Sequence, residues 1–257
     1  MELETTPGGP MKNRLFSLMA CVLLSPSLVE ARALNVQADL NGMAVRWTGD
    51  ELSGAPDITP MQANDLYSGE KGARTLVGMM EKVAGEHPEI PKPAIAKAFL
   101  YLNDHSSSMG NADYVTIVDF DRPSNEKRMS IIRLADGAVE SFLVAHGSRT
   151  GDLYAKNFSN QPKSHMSSLG LYLTGEIYVG ENGRSMRLKG MESTNSNAAS
   201  RSIVVHPAKY VTDEYAASRG MVGRSWGCPA VDPKHSEKII GQVHGGSVFL
   251  IYQSKSN

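Results

Sequence analysis

Cysteine is the residue type that this sequence most nearly lacks. The 257 residues contain two, Cys21 and Cys228. An excess of charge of one sign is lacking too, since 26 lysines and arginines balance 27 acidic residues to a formal net charge of −1. A nucleic-acid partner, which a basic excess would indicate, is therefore not predicted, and neither is a solvated acidic tail. Hydrophobic residues make up 41% of the chain, which is enough for the core of an ordinary globular protein.

Long hydrophobic runs are also scarce, and the clearest one lies near the N-terminus. A short basic start precedes the run LFSLMACVLLSPSLV at residues 15–29, and the small-x-small pattern ARA ends at Ala33. This order of features is typical of a secretory signal peptide. We therefore predict a signal peptide over residues 1–33, in which residues 1–10 are an upstream extension and Met11 is an alternative start.

This prediction implies that the protein is exported to the periplasm or cell envelope. The apolar run is too short, and too interrupted by Ser-Pro, for a membrane-spanning helix, so no integral membrane span is expected. The alternatives are a buried N-terminal helix and a lipid anchor on Cys21. The anchor is disfavoured because the residues after Cys21 are apolar, whereas a lipoprotein tether would be polar there.

Cleavage after Ala33 would leave Cys228 as the one cysteine of the mature protein. Oxidising compartments favour cysteines in disulfide-bonded pairs. A single exported thiol is then either buried and inert or retained for its chemistry. Composition does not separate these two interpretations.

The chain after the signal peptide divides into an arm and a main domain. Residues 34–74 are turn-rich and then helical, and we interpret them as a linker and helical arm; residues 75–257 form the predicted main domain. Apolar residues recur at helical spacing in GARTLVGMMEKVAG and in PAIAKAFLYLNDH, where Pro93 suits a first turn. The predicted apolar faces consist of Leu76, Met79, Met80 and Val83 and of Ala94, Ala98, Tyr101 and Leu102.

Short strands follow from Asn111 onward. They are rich in β-branched and aromatic residues and are separated by Gly, Asn and Ser. The predicted strands are 114–120, 129–135, 139–147, 170–180, 185–191, 202–207 and 247–252. Asp136-Gly137 predicts a tight hairpin between the second and third. The pattern as a whole predicts an α+β fold: a β-rich sandwich or partly closed barrel with N-terminal helices to one side.

The surroundings of Cys228, in GRSWGCPAV at residues 223–231, suit a reactive thiol. A cysteine attacks carbonyls as a thiolate, and only a few per cent is ionised at neutral pH, so it needs a nearby base or cation. Backbone N–H groups must also hold the resulting oxyanion. Gly227 allows close backbone approach, and Pro229 interrupts a regular strand. We therefore predict that Cys228 lies on a turn at a strand end, with the Gly227 and Cys228 N–H groups beside it; the alternative is a buried, inert residue.

A general base must come from another part of the chain. His206 closes the apolar segment SIVVHP, and a polar residue at the end of a strand lies where sheets present functional groups. His146 closes FLVAHG in a similar context, and His165 lies in a polar loop. The alternative for either strand-end histidine is a hydrogen-bonded structural role. The remaining histidines are expected at the surface: His87, His105, His235 and His244.

These blocks together resemble the murein L,D-transpeptidase catalytic domain family, the YkuD-type L,D-transpeptidases. The signature of that family is a histidine that closes a strand, followed by a Ser/Thr-x-Gly-Cys turn, and His206 and residues 225–228 fit it. The segments VAHGSRTGD, FSNQPKSHMSSLGLYLTGEIYVG and LKGMESTNSNAASRSIVVH are similar to the same family. The resemblance covers roughly residues 75–253 and implies a β-rich catalytic domain.

The resemblance also implies a cysteine acyl-enzyme mechanism on peptidoglycan stem peptides, with no cofactor and no metal. Cys228 is the implied nucleophile, His206 the general base, and the N–H groups near Gly227 and Cys228 the oxyanion donors. The attacked carbonyl would join the third, L-configured centre of a tetrapeptide stem to its terminal D-residue. A side-chain amine of a second stem would resolve the thioester into a crosslink, whereas water would make the enzyme an L,D-carboxypeptidase. One thiol and one imidazole suffice for both outcomes.

The sequence departs from the family pattern at two positions. Many members have glycine after the strand-end histidine, where this chain has Pro207, and many have arginine two residues after the cysteine, where this chain has Ala230. Arg224 precedes the cysteine instead, and we interpret it as a charge-assisted clamp for a substrate carboxylate. These departures concern substrate anchoring more than the nucleophile.

Four further side chains complete the predicted site. Ser225 is expected either to orient His206 or the thiol, or to close the turn. Trp226 is expected to flank the substrate groove or to pack beneath its loop. His146 is expected to line the site, to hydrogen-bond His206, or to be structural. Tyr210, at the end of the SIVVHPAKY block, is predicted to contact substrate.

Three other functions are compatible with parts of this pattern. A metal hydrolase using Cys228, His206 and another histidine lacks the usual H-E-x-x-H or C-x-x-C ligand pairs. A non-catalytic murein-binding module would bury Cys228. A papain-like cysteine hydrolase places its cysteine before its histidine, and this chain has the opposite order.

Overall fold

The computed structural model of the protein describes residues 71–254. The predicted signal peptide, and the linker and arm as far as residue 70, lie outside the described residues. Among residues 71–254, no helix combines the length and apolar character needed to cross a membrane. The predicted main domain, from residue 75, falls almost entirely within the described part.

Within residues 71–254, two helices precede the first strand. They are α1 (Lys71–Glu86) and α2 (Lys92–His105), followed by one 3₁₀ turn at Ser106–Ser108. Both coincide with the segments of helical spacing. Pro93 lies in the first turn of α2, where its missing N–H costs nothing. The residues of α2 are buried nearly all round, which requires neighbours on several sides.

Two shorter helices lie in the C-terminal third, where the sequence pattern did not predict them. They are α3 (Asp213–Arg219) and α4 (Pro233–Val243). Each begins with a side-chain cap, since Thr212 accepts from the Tyr215 N–H and Asp232 accepts from the Lys234 N–H. The capping residues can be recognised in the sequence. However, α3 is only seven residues long, so its apolar residues show little helical periodicity.

In the described part of the chain, nine strands form the sheet. The first four are β1 (Tyr114–Asp119), β2 (Met129–Arg133), β3 (Val139–Phe142) and β4 (Val144–Ala145). The others are β5 (Gly170–Gly180), β6 (Gly183–Gly190), β7 (Val204–Pro207), β8 (Ala230–Val231) and β9 (Val248–Tyr252). All seven predicted strands are present, the third one divided into β3 and β4. The two-residue β8 is the strand that the sequence did not predict.

The order of the strands is β3-β2-β1-β9-β5-β6-β7-β8-β4. Neighbours are antiparallel except for the β1–β9 and β7–β8 pairs, which are parallel. The two strands at the ends of this order, β3 and β4, are separated in the chain by Leu143 alone. The sheet therefore curls until its two edges meet in one stretch of chain, which confirms the predicted α+β fold with a partly closed barrel and leaves little free edge.

Two apolar cores lie on the two faces of this sheet. One packs α1 and α2 against β1 and β9, through residues such as Phe99, Ile117 and Leu250. The other lies inside the curled sheet, where α4 contributes Ile239 and Val243. The alternation of side chains along the strands supplies both cores from the same central strands.

One buried ion pair connects α2 to the segment after β6. Lys97 Nζ lies 2.8 Å from Glu192 Oε1, and the two side chains are only 9% and 12% exposed. Glu192 Oε1 also accepts a hydrogen bond from the Leu171 N–H at 3.0 Å. The pair thus holds the N-terminal helices on the sheet.

We predict that Lys97→Ala lowers the free energy of unfolding by about 3 kcal/mol, because it leaves a buried carboxylate without its cation. Arg122→Ala, which removes a more exposed i,i+4 pair with Glu126, should cost less than about 1 kcal/mol. Urea unfolding followed by circular dichroism measures both. Equal losses for the two variants would contradict the importance of the buried pair.

Candidate active site

The parallel pairing of β7 with β8 puts His206 and the turn that carries Cys228 on neighbouring segments of the chain. His206 is the register partner of Ala230, and Cys228 precedes Ala230 by two residues. Both predicted residues therefore lie at or close to the β7–β8 pair.

His206 has a defined tautomer. Its ring is buried, with 6% of its surface exposed, and Nδ1 lies 3.0 Å from the Pro207 carbonyl oxygen. A carbonyl only accepts, so Nδ1 carries the proton and Nε2 presents its lone pair. Burial lowers the pKa of His206 below its ordinary value, while the hydrogen bond to Pro207 opposes that change. The imidazole is therefore neutral at neutral pH and able to accept a proton at Nε2.

Cys228 is half-buried beside the backbone of β7. Its Sγ lies 3.5 Å from the Ser202 carbonyl oxygen, and the Val204 N–H donates to the sulfur. Burial raises the pKa of the thiol above its ordinary value, and the Val204 N–H and the charge of Arg201 partly offset that rise. Cys228 is consequently a thiol rather than a thiolate at neutral pH, and its nucleophilicity depends on a base.

Ser225 closes the turn that carries Cys228. Its Oγ donates to the Cys228 carbonyl at 2.6 Å and accepts from the Gly227 N–H at 3.1 Å. Of the roles predicted for Ser225, this geometry corresponds to closure of the turn. The Gly227 N–H, predicted as an oxyanion donor, is engaged with Ser225. The Cys228 N–H makes no hydrogen bond to any other residue of the described range 71–254.

Gly227 is required by the geometry of this turn. Its φ is +122°, a region that residues with a side chain rarely adopt. An added Cβ would lie 2.8 Å from the Met166 carbonyl oxygen and 3.1 Å from Arg201 Nη2. The Gly227 carbonyl in turn accepts from Ser167 Oγ at 3.2 Å. The turn is therefore packed tightly against the loop that contains residues 166 and 167.

His146 does not lie at a substrate surface. It is fully buried; Nδ1 accepts from Arg128 Nη2 at 2.8 Å, and Nε2 donates to the Gly151 carbonyl at 3.1 Å. Burial, with the charge of Arg128, lowers the pKa of His146 to about 4. With both nitrogens occupied, His146 can neither bind substrate nor hydrogen-bond His206, two of the roles that its sequence context allowed. Its carbonyl instead accepts the Ser225 N–H at 2.9 Å, so its role is to hold the turn.

The other predicted substrate contacts lie around the turn. Tyr210 is half-buried, and burial, together with the nearby Cys228 thiolate charge, raises its pKa to about 12. Trp226 is 77% exposed and stacks on His165, with ring centroids 5.1 Å apart. Arg224 is ion-paired with Asp152, so the predicted carboxylate clamp is already occupied by a carboxylate of the chain itself.

Arg201 belongs to the site although sequence reasoning did not select it. Its guanidinium donates to Ser159 O at 2.8 Å, to Ser168 Oγ at 3.1 Å, to Ser164 Oγ at 3.3 Å and to Met166 O. Its charge lowers the pKa of the Cys228 thiol. Its position just before SIVVHP was the one signal available, because the four partners lie 33 to 42 residues away in the chain.

The arrangement supports nucleophilic chemistry at a carbonyl. A thiol, a neutral imidazole of fixed tautomer, a nearby cation and an open backbone N–H are the groups that such chemistry uses. Among the residues that the structure describes, no three His, Cys, Asp or Glu side chains are grouped so that they could hold a metal ion.

Comparison with known proteins gives one family match. The family model described as "L,D-transpeptidase catalytic domain" matches residues 86–252. No curated protein sequence matches this chain significantly.

Structural comparison finds solved structures of L,D-transpeptidases at low identity and low TM-score. One from Mycobacterium smegmatis is 14% identical, with a TM-score of 0.34 over 55% of this chain and 59% of that one. One from Xylanimonas cellulosilytica is 12% identical, with a TM-score of 0.33 over 96% of this chain and all of that one. One from Stackebrandtia nassauensis is also 12% identical, with a TM-score of 0.33 over 87% and 91%. This chain spans 59% of the length of the M. smegmatis protein.

We predict that Arg201→Met moves the pH titration of Cys228 alkylation by iodoacetamide to higher pH. The reason is that the thiolate loses its neighbouring positive charge. Arg201→Lys keeps a positive charge and should stay close to wild type, and Ser164→Ala, which removes one hydrogen bond of Arg201, should do the same. Mass spectrometry of the labelled peptide reports on Cys228 separately from Cys21. An unchanged titration in Arg201→Met would contradict the electrostatic role.

Proposed function

Because this chain belongs to the L,D-transpeptidase catalytic domain family, we propose that it is a peptidoglycan L,D-transpeptidase that works through a cysteine acyl-enzyme. The family makes it an enzyme of this class. The observation that best supports the finer proposal is the parallel β7–β8 pairing, in which His206 is the register partner of Ala230, two residues after Cys228; the hydrogen bond from His206 Nδ1 to the Pro207 carbonyl leaves Nε2 as the acceptor.

The first half of the proposed reaction forms a thioester. His206 Nε2 takes the proton of the Cys228 thiol as Sγ attacks the carbonyl between the third residue and the terminal D-residue of a tetrapeptide stem. The oxyanion forms next to the Cys228 N–H, which has no other partner among residues 71–254. The C–N bond then breaks, and the D-amino acid leaves with the proton returned by His206.

The second half transfers the acyl group. A side-chain amine of a second stem attacks the thioester carbonyl, His206 accepts a proton from that amine, and the Cys228 thiol is released as the new amide forms. Water in place of the amine would give a shortened stem, the L,D-carboxypeptidase outcome. Both routes use the same thiol and imidazole, so only the acceptor distinguishes them.

The pKa values of the two residues suit this assignment of roles. Burial keeps Cys228 protonated and His206 neutral, so the proton has one donor and one acceptor in the resting site. The Pro207 carbonyl, which accepts from Nδ1, stabilises the imidazolium that forms transiently. It fills the orienting role that a carboxylate plays in other nucleophile–histidine pairs.

We also propose that the protein acts outside the cytoplasm, in the periplasm or cell envelope. The signal-peptide pattern of residues 1–33 supports this, as does the location of the proposed substrate. The proposed partners are peptidoglycan stem peptides.

We predict that Cys228→Ala abolishes activity on purified muropeptides while the thermal unfolding midpoint stays near that of wild type. His206→Ala should lower the rate by roughly a hundredfold or more, since it removes the general base. His244→Gln, which changes an exposed histidine, is the matched control and should retain activity. Mass spectrometry of the products distinguishes crosslinked dimers, trimmed stems and unchanged stems.

Activity that survives in Cys228→Ala would contradict the proposed nucleophile. Unchanged stems with wild-type protein, together with tight muropeptide binding, would favour a non-catalytic murein-binding module. Trimmed stems without dimers would establish the carboxypeptidase outcome.

A further inference from the structure

Ser167 is a buried serine that the reaction described above does not use. Its side chain is 1% exposed. Its Oγ accepts a hydrogen bond from the Gly147 N–H at 3.0 Å and donates one to the Gly227 carbonyl at 3.2 Å. Because a carbonyl oxygen only accepts, the hydroxyl proton of Ser167 points at Gly227. One buried hydroxyl therefore connects the loop after β4 to the residue that precedes Cys228.

The backbone around Ser167 is held in place from several sides. The Ser167 N–H donates to Thr150 Oγ1 at 2.7 Å, and the Ser167 carbonyl accepts from the Ser159 N–H at 3.0 Å. Thr150 is fully buried. Gly147 permits the close approach of the two loops, since a Cβ there would lie 2.5 Å from the His165 carbonyl oxygen. The Ser167 hydroxyl is therefore a preorganised donor.

The carbonyl that Ser167 holds belongs to the same peptide unit as the Cys228 N–H. This peptide bond is trans, so the unit is planar and its C=O and N–H point in opposite directions. The direction of the Gly227 carbonyl therefore sets the direction of the Cys228 N–H. Ser167 thus acts on the group next to which the proposed oxyanion forms, without touching that group.

The peptide units on either side of this one have a different anchor. Ser225 Oγ accepts from the Gly227 N–H, which belongs to the preceding unit, and donates to the Cys228 carbonyl, which belongs to the following unit. For the unit between them, the hydrogen bond from Ser167 is the only one within residues 71–254. Gly227 also has no Cβ to restrict rotation of that unit. The orientation of the Cys228 N–H consequently depends on Ser167.

We propose that Ser167 is a positioning residue of the oxyanion site. Its hydroxyl holds the peptide unit between Gly227 and Cys228 so that the Cys228 N–H points at the oxyanion that forms when Sγ attacks a carbonyl. A rotated unit would present the Gly227 carbonyl oxygen in place of this donor and would repel the oxyanion. This role rests on the acyl-enzyme reaction of the proposed function.

Two reagents distinguish the oxyanion site from the reactivity of the thiol itself. Iodoacetamide alkylates Cys228 by displacement of iodide from a saturated carbon, so no oxyanion forms. p-Nitrophenyl acetate acylates Cys228 through a tetrahedral oxyanion: the bond from Sγ to the acetyl carbon forms, p-nitrophenolate leaves, and His206 takes the thiol proton. Because thiolate formation affects both reactions, the ratio of acylation to alkylation rates at one pH reports on the oxyanion donor.

We predict that Ser167→Ala lowers the rate of Cys228 acylation by p-nitrophenyl acetate about tenfold, because the oxyanion donor loses its alignment. The rate and the pH titration of alkylation by iodoacetamide should stay at wild-type values. Ser167→Cys, which has a similar volume and a weaker donor, should lower the acylation rate less. Ser247→Ala removes another buried hydroxyl, which donates to the Val243 carbonyl at 2.6 Å. It is the matched control and should leave the ratio unchanged. Mass spectrometry of the labelled peptide quantifies both reactions at Cys228.

An unchanged ratio in Ser167→Ala, or equal losses of both rates, would overturn the proposal, because the hydroxyl would then only stabilise the loop. If Ser167→Ala does not fold, an unchanged ratio in Ser167→Cys overturns it instead. Wild-type Cys228 that is alkylated but not acylated would also overturn it, since the site would then hold no working oxyanion donor. Failure of wild-type protein to process muropeptides, while Ser167→Ala still lowers the ratio, would overturn the proposed function and leave the positioning role standing.

Discussion

The parallel register of β7 against β8 is the constraint on which the site depends. It sets His206 opposite Ala230, two residues after Cys228 in the chain. A shift of one residue would turn one strand's side chains to the other face and separate the pair. The register is supported by the turn, where Ser225 Oγ donates to the Cys228 carbonyl and accepts from the Gly227 N–H, and the His146 carbonyl accepts from the Ser225 N–H.

The two strand-end histidines differ in their ability to accept a proton because their hydrogen-bond partners differ. His146 has one nitrogen on Arg128 and the other on the Gly151 carbonyl, and its neutral ring has no free lone pair. His206 has one nitrogen on the Pro207 carbonyl and makes no second hydrogen bond within residues 71–254. Both rings are buried, yet only His206 keeps an acceptor for a proton. Burial keeps the His206 ring neutral at neutral pH, and its Nε2 is left able to accept a proton.

The sequence predicted much of the fold because its signals are local. Strand alternation and the Asp136-Gly137 turn act over a few residues, and the β2–β3 hairpin formed as expected. Strand β8 has two residues and helix α3 has seven, so neither is long enough to show a periodic pattern of apolar residues. In the site, the environment of His146 depends on Arg128, eighteen residues away, and that of Arg201 on a loop more than thirty residues away. Such pairings come from the topology, which no local pattern encodes.

The protonation state of the His206 ring most directly tests the proposal that His206 is the general base for Cys228. Nitrogen-15 NMR of the histidine side chains at neutral pH reads which ring nitrogen carries hydrogen. A neutral His206 ring with its proton on Nδ1 and a bare Nε2, which becomes an imidazolium only at a pH below the ordinary histidine range, is the result that the account predicts. A proton on Nε2, or an imidazolium that persists at neutral pH, would leave Cys228 without its base and would contradict it.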